Sequence, residues 1–303
     1  MNTETGYQEY TLYSSRLVQV GAFRLQPWYP QFEEAGEIRE GHLIVFPRTS
    51  VFIQQEGREP ILTDPNIAVF YNHYQPYRRK QHSKRGDQCE YFVFNTATLI
   101  ETFQPYLPDV GDHPAEPFQQ SHTPIDAQTY LLQRKIVTHL EQTSQPDLIF
   151  VEEASLQLLE RTISQIYLSH SPGPQPRSST RLVHRRLAQQ AKAVLSQRYQ
   201  EHLSIDLLAR ELFVSPYHLC RVFRRETGQT IHAYLEQIRL RVALEYLVPG
   251  NGDLTRLALA AGFSSHSHFT QAVRKTFGFP PTRLVEALYN PQVKLKLSKI
   301  LTA

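Results

Sequence analysis

Within residues 169–303 a segment recurs with a period of 49 to 50 residues, and that repeat limits what this chain can fold into more than any other feature. Leu208-Ala209 matches Leu257-Ala258, and Ser215 matches Ser264, at an offset of 49. After one extra residue the offset is 50: His218-Leu219 matches His268-Phe269, Arg224-Arg225 matches Arg274-Lys275, and Gly228 matches Gly278. Each copy reads as a short apolar helix, a turn, and a second helix that ends in a basic pair and a glycine, which is the layout of a helix-turn-helix written twice. The spacing predicts helices at about 180–199, 204–212, 216–227, 230–247, 254–261, 265–277 and 281–288. Ser204 and Ser215 stand at N-cap positions, and Gly228 and Gly278 sit where helices stop.

The rest of the chain is built differently. Between residues 15 and 96, short apolar runs (Leu17–Phe23, His42–Phe46, Val51–Gln55, Ile67–Tyr71, Cys89–Phe94) alternate with turn residues, the pattern of a β-sandwich or barrel. From Asp126 the apolar period becomes helical, and two helices at roughly 126–143 and 148–168 close this half. A twelve-residue stretch from Ser169 to Thr180, rich in Pro, Ser and Thr, reads as a linker. The charge divides at the same place, with residues 1–168 at net −8 and residues 169–303 at net +11. Such asymmetry points to a half that binds nucleic acid joined to a half with another task.

A major groove admits one α-helix, and two readers on one body need a spacer that sets their separation near one duplex turn. The helix over 230–247 is that spacer, and Arg221, Arg224, Arg225, Arg239, Arg241, Arg274, Lys275 and Arg283 supply cations for phosphates.

Over about 95 residues, the stretch LSIDLLARELFVSPYHLCRVFRRETGQTIHAYLEQIRLRVALEYL followed by LTRLALAAGFSSHSHFTQAVRKTFGFPPTRL resembles the AraC/XylS family of bacterial transcription regulators. Both reading helices, the Arg239-Leu240 and Ala243 of the connector, and Gly262-Phe263, Phe277-Gly278 and Pro280-Pro281 carry the likeness. The resemblance implies two helices inserted into consecutive major grooves of a promoter. It also implies a cupin-like sensor that takes a small molecule and dimerises through a following helix.

The expected fold is therefore α+β and multidomain: an N-terminal cupin-like β-barrel with C-terminal helices, then an all-α domain with two helix-turn-helix units. The expected boundaries are 1–168 for the sensor and dimerisation domain, 169–180 for the linker, 181–290 for the DNA-binding domain and 291–303 for a tail. Matching the family's pattern gives Tyr217, Cys220 and Arg221 as groove-facing in the first reader, and His266, Ser267 and Gln271 in the second. His218, Thr270 and the basic groups Arg224, Arg225, Arg274 and Lys275 complete the expected DNA-binding set. Arg221 could chelate guanine or clamp a phosphate, and Gln271, in the same place of the repeat, could pair with adenine. Two departures stand out. Phe213 occupies the place where the family usually has glycine, so the first turn is expected to use another local geometry, and Val273 replaces a phenylalanine.

The expected partners are double-stranded promoter DNA, a second copy of the chain, RNA polymerase and a small-molecule effector; no cofactor is expected. No apolar run reaches membrane-spanning length and the N-terminus MNTETGYQEY has no signal pattern, so a cytoplasmic, nucleoid-associated location is expected.

Two other function classes make different demands on the sequence. A metal-dependent cupin enzyme would need histidines two apart on a strand with a nearby carboxylate. His42, His73, His82, His113 and His122 show no such spacing and read as surface or loop residues. A dimerisation scaffold without a ligand would lack a pocket. The run Tyr71–Lys80 reads as either the rim of a pocket for an anionic or aromatic effector or a solvated hairpin. His266 and His268 are two apart on a helix and so point away from one another, which excludes one shared metal. Cys89 and Cys220 cannot form a disulfide framework.

Overall fold

The computed structural model describes residues 6–39, 41–112, 114–168, 178–247 and 253–290. Most of the expected linker, His113 and the whole of the expected tail lie outside these described residues. By contacts the chain divides into two compact units, Met1–Leu168 with Thr282–Ala303, and Ser169–Pro281.

The first unit carries ten strands: β1 (Tyr7–Ser14), β2 (Val18–Leu25), β3 (Ala35–Glu37), β4 (His42–Pro47), β5 (Val51–Gln55), β6 (Ile61–Thr63), β7 (Ile67–Tyr71), β8 (Pro76–Lys80), β9 (Asp87–Phe94) and β10 (His122–Pro124). They pair into a six-stranded sheet, β1-β2-β9-β4-β7-β10, and a four-stranded one, β3-β8-β5-β6. Leu43, Val69 and Tyr91 of the larger sheet and Val51, Ile53 and Ile61 of the smaller share one core, so the sheets face each other across it.

Period-two alternation decides what each strand presents. In β8, Tyr77 and Arg79 are drawn in while Pro76, Arg78 and Lys80 are exposed. Tyr71–Lys80 is thus no two-stranded hairpin, because β7 belongs to the larger sheet and β8 pairs with β3 and β5 in the smaller.

Among the described residues three α-helices and a short 3-10 turn (Pro108–Asp112) complete this part of the unit. The unpredicted α1 (Thr96–Phe103) is capped by Asn95, whose side chain accepts from the Thr98 amide at 2.8 Å, and it buries Leu99 and Phe103 one turn apart. The other two, α2 (Ala127–Gln142) and α3 (Leu148–Leu168), match expectation. Every residue of α2 from Thr129 to Leu140 is buried, including Gln133, Arg134 and Lys135. Gln133 (3.1 Å) and Arg134 (3.3 Å) donate to Glu90 on β9, which also accepts from Arg48 (2.5 Å), while the Lys135 ammonium lies 5.4 Å from the centre of the Phe150 ring. Burial alone would raise the Glu90 carboxyl, but the two guanidiniums hold it below the ordinary range.

The second unit is helical: α4 (Ser178–Gln197), α5 (Ile205–Glu211), α6 (Pro216–Thr227), α7 (Ile231–Tyr246), α8 (Leu254–Ala260) and α9 (His266–Phe277). A tenth helix, α10 (Pro281–Tyr289), follows, and the contact division falls just inside its first residue. Helix α4 begins at Ser178, two residues before the expected start near 180, in a Ser-Ser-Thr run that suits a helix start. Leu195, Leu208, Leu219, Phe223, Tyr234 and Ile238 form the centre of this unit's core.

Candidate nucleic-acid interface and inner cavity

Each helix-turn-helix is built by the same local rules. The second helices, α6 and α9, have twelve residues each and begin at a serine cap: Ser215 accepts from the His218 amide at 3.2 Å and Ser265 from the His268 amide at 3.1 Å. Both end on a glycine in the left-handed region, Gly228 (φ 75°) and Gly278 (φ 80°), preceded by Arg224-Arg225 and Arg274-Lys275. The cap alignment corrects the repeat: Ser215 corresponds to Ser265, and Ser264 is the extra turn residue. Its hydroxyl lies 3.1 Å from the Nδ1 of His268.

The turns themselves are bonded alike. Val214 donates to the Ala209 carbonyl (3.0 Å) and Phe263 to that of Ala258 (2.9 Å); Phe213 donates to Arg210 (3.2 Å) and Gly262 to Leu259 (3.0 Å). Phe213 adopts φ 57° at the place where Gly262 adopts φ 87°, so the first turn uses the same left-handed geometry after all. The expectation of a different geometry fails because the Phe213 side chain is 95% exposed, so nothing obstructs it beyond the intrinsic cost of that region, about 1–2 kcal/mol.

One face of each second helix is buried: Leu219, Val222 and Phe223 in α6, and Phe269, Ala272, Val273 and Phe277 in α9. The opposite face carries the expected DNA-binding residues. Tyr217 (76% exposed), His218, Arg221, Arg224 and Arg225 are exposed on α6, as are Ser267, Gln271, Arg274 and Lys275 on α9. Among the described residues, Arg221, Arg224, Gln271, Arg274 and Lys275 make no side-chain hydrogen bond or ion pair, which leaves their donors free for an outside acceptor. Arg225 is engaged, with Glu226 (3.0 Å) and with the His184 ring of α4. Cys220 is half-buried and packs on the core.

The histidines separate as the helical period requires. His266 lies 3.4 Å from the Thr270 hydroxyl one turn on, whereas His268 packs edge-on against Phe263 with ring centres 5.3 Å apart. His218, at the equivalent place to His268, instead meets His184 with ring centres 5.6 Å apart. The spacer α7 ties the loop after α4 to the second turn. Its Arg239 donates to the carbonyls of Tyr199 (2.6 Å) and Glu201 (2.8 Å), and Gln200 of that same loop donates to Ala260 (2.8 Å).

In the first unit a cavity of about 320 Å³, open to solvent on one side, lies between the facing sheets. Leu43, Val45, Val51, Ile53 and Val69 line its apolar part, and Tyr71, Tyr77, Arg79, Asp87 and Cys89 its polar part, with exposed Glu9, Glu37 and Arg39 on the solvent side. The Arg79 guanidinium lies over Phe23 (4.9 Å) and Tyr77 (5.4 Å), donates to the Tyr77 hydroxyl (3.0 Å) and sits 2.9 Å from Asp87. Sequence spacing missed this group because Arg79 and Asp87 lie on strands of different sheets. His42 is another correction: at 4% exposed on β4 it is no surface residue, and its Nδ1 accepts from the His73 amide at 3.3 Å. Burial lowers its basicity. Among the described residues no group of three or more His, Cys, Asp or Glu could hold a metal ion, and no helix is long and apolar enough to cross a membrane.

Comparison with known proteins places residues 208–287 in a helix-turn-helix domain family. The probable transcription factor PqrA of Proteus vulgaris is 33% identical over 86 residues, which is 28% of this chain and 70% of that protein. The transcriptional activator RhaS of Escherichia fergusonii is 28% identical over 165 residues, 54% of this chain and 57% of that one. The chain spans between 48% and 71% of the length of the first curated relatives it matches. A crystal structure of ToxT from Vibrio cholerae matches 90% of this chain and 100% of its own at 9% identity and a TM-score of 0.36.

Proposed function

Because the chain belongs to the AraC/XylS family of helix-turn-helix transcription regulators, we propose that it reads promoter DNA by placing α6 and α9 in successive major grooves under the control of a small molecule held in the first unit. The observation that carries the reading is the matched pair of twelve-residue helices, each with an apolar face buried and a polar, cationic face turned outward that includes the unengaged Arg221, Arg224, Gln271, Arg274 and Lys275. The 16-residue α7, roughly 24 Å long at 1.5 Å per residue, gives a spacing close to one duplex turn once the helices' own offsets are added.

In this reading Tyr217, Arg221, His266, Ser267 and Gln271 meet base edges, with Cys220 and Thr270 at the margin. His218, Arg224, Arg225, Arg274 and Lys275 meet phosphates. Residues 1–168 form the sensor and dimerisation domain, 169–180 the connecting segment, 181–290 the DNA-binding domain and 291–303 a tail. The working form is a homodimer paired through the first domain, acting in the cytoplasm at the nucleoid beside RNA polymerase, without cofactor or catalysis. The effector occupies the 320 Å³ cavity, at the small end of the range of about 300–1,000 Å³ typical of ligand sites, and shifts an equilibrium between states of the dimer.

Sites selected from random DNA supply the cognate sequence for the test. Arg221→Ala is expected to weaken cognate binding by about 1–3 kcal/mol more than binding to random DNA. Equal losses on both would make Arg221 a phosphate contact, and no selective enrichment of any sequence would sink the reading itself.

A further inference from the structure

The polar end of the cavity is electrically closed yet short of hydrogen bonds. The Arg79 side chain is 9% exposed and that of Asp87 10%, so both charges sit out of water and each neutralises the other. Their bonding is poor all the same. The Arg79 Nε lies 2.9 Å from an Asp87 oxygen but its N–H is not aimed there, leaving that buried nitrogen unsatisfied. Of the five N–H donors of the guanidinium, one is satisfied among the described residues, by the Tyr77 hydroxyl. The other Asp87 oxygen, Oδ1, also has no partner among them. Donor and acceptor thus stand side by side at the end of an apolar chamber.

From this we infer that the cavity takes an uncharged molecule with an aromatic or alicyclic body and an amide- or lactam-like edge, its carbonyl accepting from Arg79 and its N–H donating to Asp87. The inference rests on the reading of the cavity as the effector site and names the chemistry of its occupant. A carboxylate ligand would place a second anion beside Asp87 in a site where a single cation is already matched. The walls resist negative charge in their own right: burial pushes the Asp87 carboxyl, the Tyr71 hydroxyl and the Cys89 thiol up, Asp87 even beside Arg79. An ammonium would face Arg79 itself. A neutral edge leaves the balance intact and supplies the missing hydrogen bonds, while its apolar body covers Val45, Ile53 and Val69.

The full chain is titrated with benzamide, benzoate and benzylamine, three probes of one shape, by ligand-observed NMR, on the wild type and on Asp87→Asn and Arg79→Met. Benzamide is expected to bind the wild type at least tenfold more tightly than either charged probe and to lose at least tenfold in Arg79→Met. In Asp87→Asn, which leaves the Arg79 charge unmatched, benzoate is expected to overtake benzamide. If benzoate or benzylamine equals or exceeds benzamide on the wild type, the neutral-ligand inference falls and the cavity remains an effector site. Unchanged benzamide binding in Arg79→Met also overturns it, since the probe then sits elsewhere. If none of the three binds, the effector reading of the cavity falls as well.

Discussion

The two helix-turn-helix units share the backbone hydrogen bonds of their turns, yet the left-handed residue at the heart of each turn meets opposite surroundings. At Phe213 the turn stands in solvent, and the strain of a bulky residue at φ 57° is the whole penalty. At Gly262 the turn is packed under the Tyr199–Glu201 loop, and a Cβ would lie 2.6 Å from the Tyr199 carbonyl oxygen and 3.0 Å from the Arg239 Nε. One backbone shape is therefore held in two ways. In the first unit the turn's own bonds suffice, and in the second the shape is demanded by a neighbour that leaves no room for a side chain.

That contrast can be broken from its strongest side first. Gly262→Ala adds the obstructed Cβ and is expected to lower the opening free energy of α8 and α9 by about 2–3 kcal/mol, read by native-state hydrogen exchange of the full chain. A loss under half a kilocalorie would show that the loop yields easily. Arg239→Ala removes the clamp on that loop and is expected to cost about 1.5 kcal/mol in the same α8 and α9 amides, with α5 and α6 much less affected. Equal effects on both units would mean that Arg239 supports the core generally.

The serine caps ought to erase the asymmetry, because they are local. Ser215→Ala and Ser265→Ala are each expected to cost about 1 kcal/mol in the helix they begin, and a clear inequality would point to a second role for one of them. The smallest effect has the opposite sign. Phe213→Gly relieves left-handed strain of about 1–2 kcal/mol while adding about 1 kcal/mol of chain entropy, for a net change between zero and a gain of about 1 kcal/mol. Measurable destabilisation of α5 and α6 would show that the exposed ring has a contact after all.

What could be read from the sequence follows the range of the forces involved. Helix ends, caps and buried faces depend on residues three or four apart, so the repeat alone exposes both units, Ser204, Ser215 and the two stop glycines. Even α1 carried such a signal, in Asn95 ahead of Leu99 and Phe103. The extra residue of the second turn was legible as a change of offset, but only the cap showed it to be Ser264. Strand pairing is different, because nothing local tells β8 to leave β7 for β5, and so the alternation in Tyr77-Arg78-Arg79-Lys80 could be noticed without saying which side met the core. The Arg79–Asp87 pair and the burial of His42 depend on that pairing and stayed out of reach. Phe213 misled for a further reason: a propensity against left-handed backbone is a cost of a kilocalorie or two, which a well-bonded turn can absorb.

Strand β9 has a consequence for how this unit can respond to an occupant. Asp87, Cys89 and Tyr91 point to one side of it and line the cavity, while Glu90, between them, points to the other and grips Arg134 and Gln133 of α2. The strand is hydrogen-bonded along both edges, to β2 and to β4, and so has little freedom to bend between adjacent residues. It is a stiff wall shared by two rooms, with the polar groups of the cavity on one side and a buried carboxylate on the other. With two arginines and an amide bound to it, that carboxylate cannot shift without carrying the helix along.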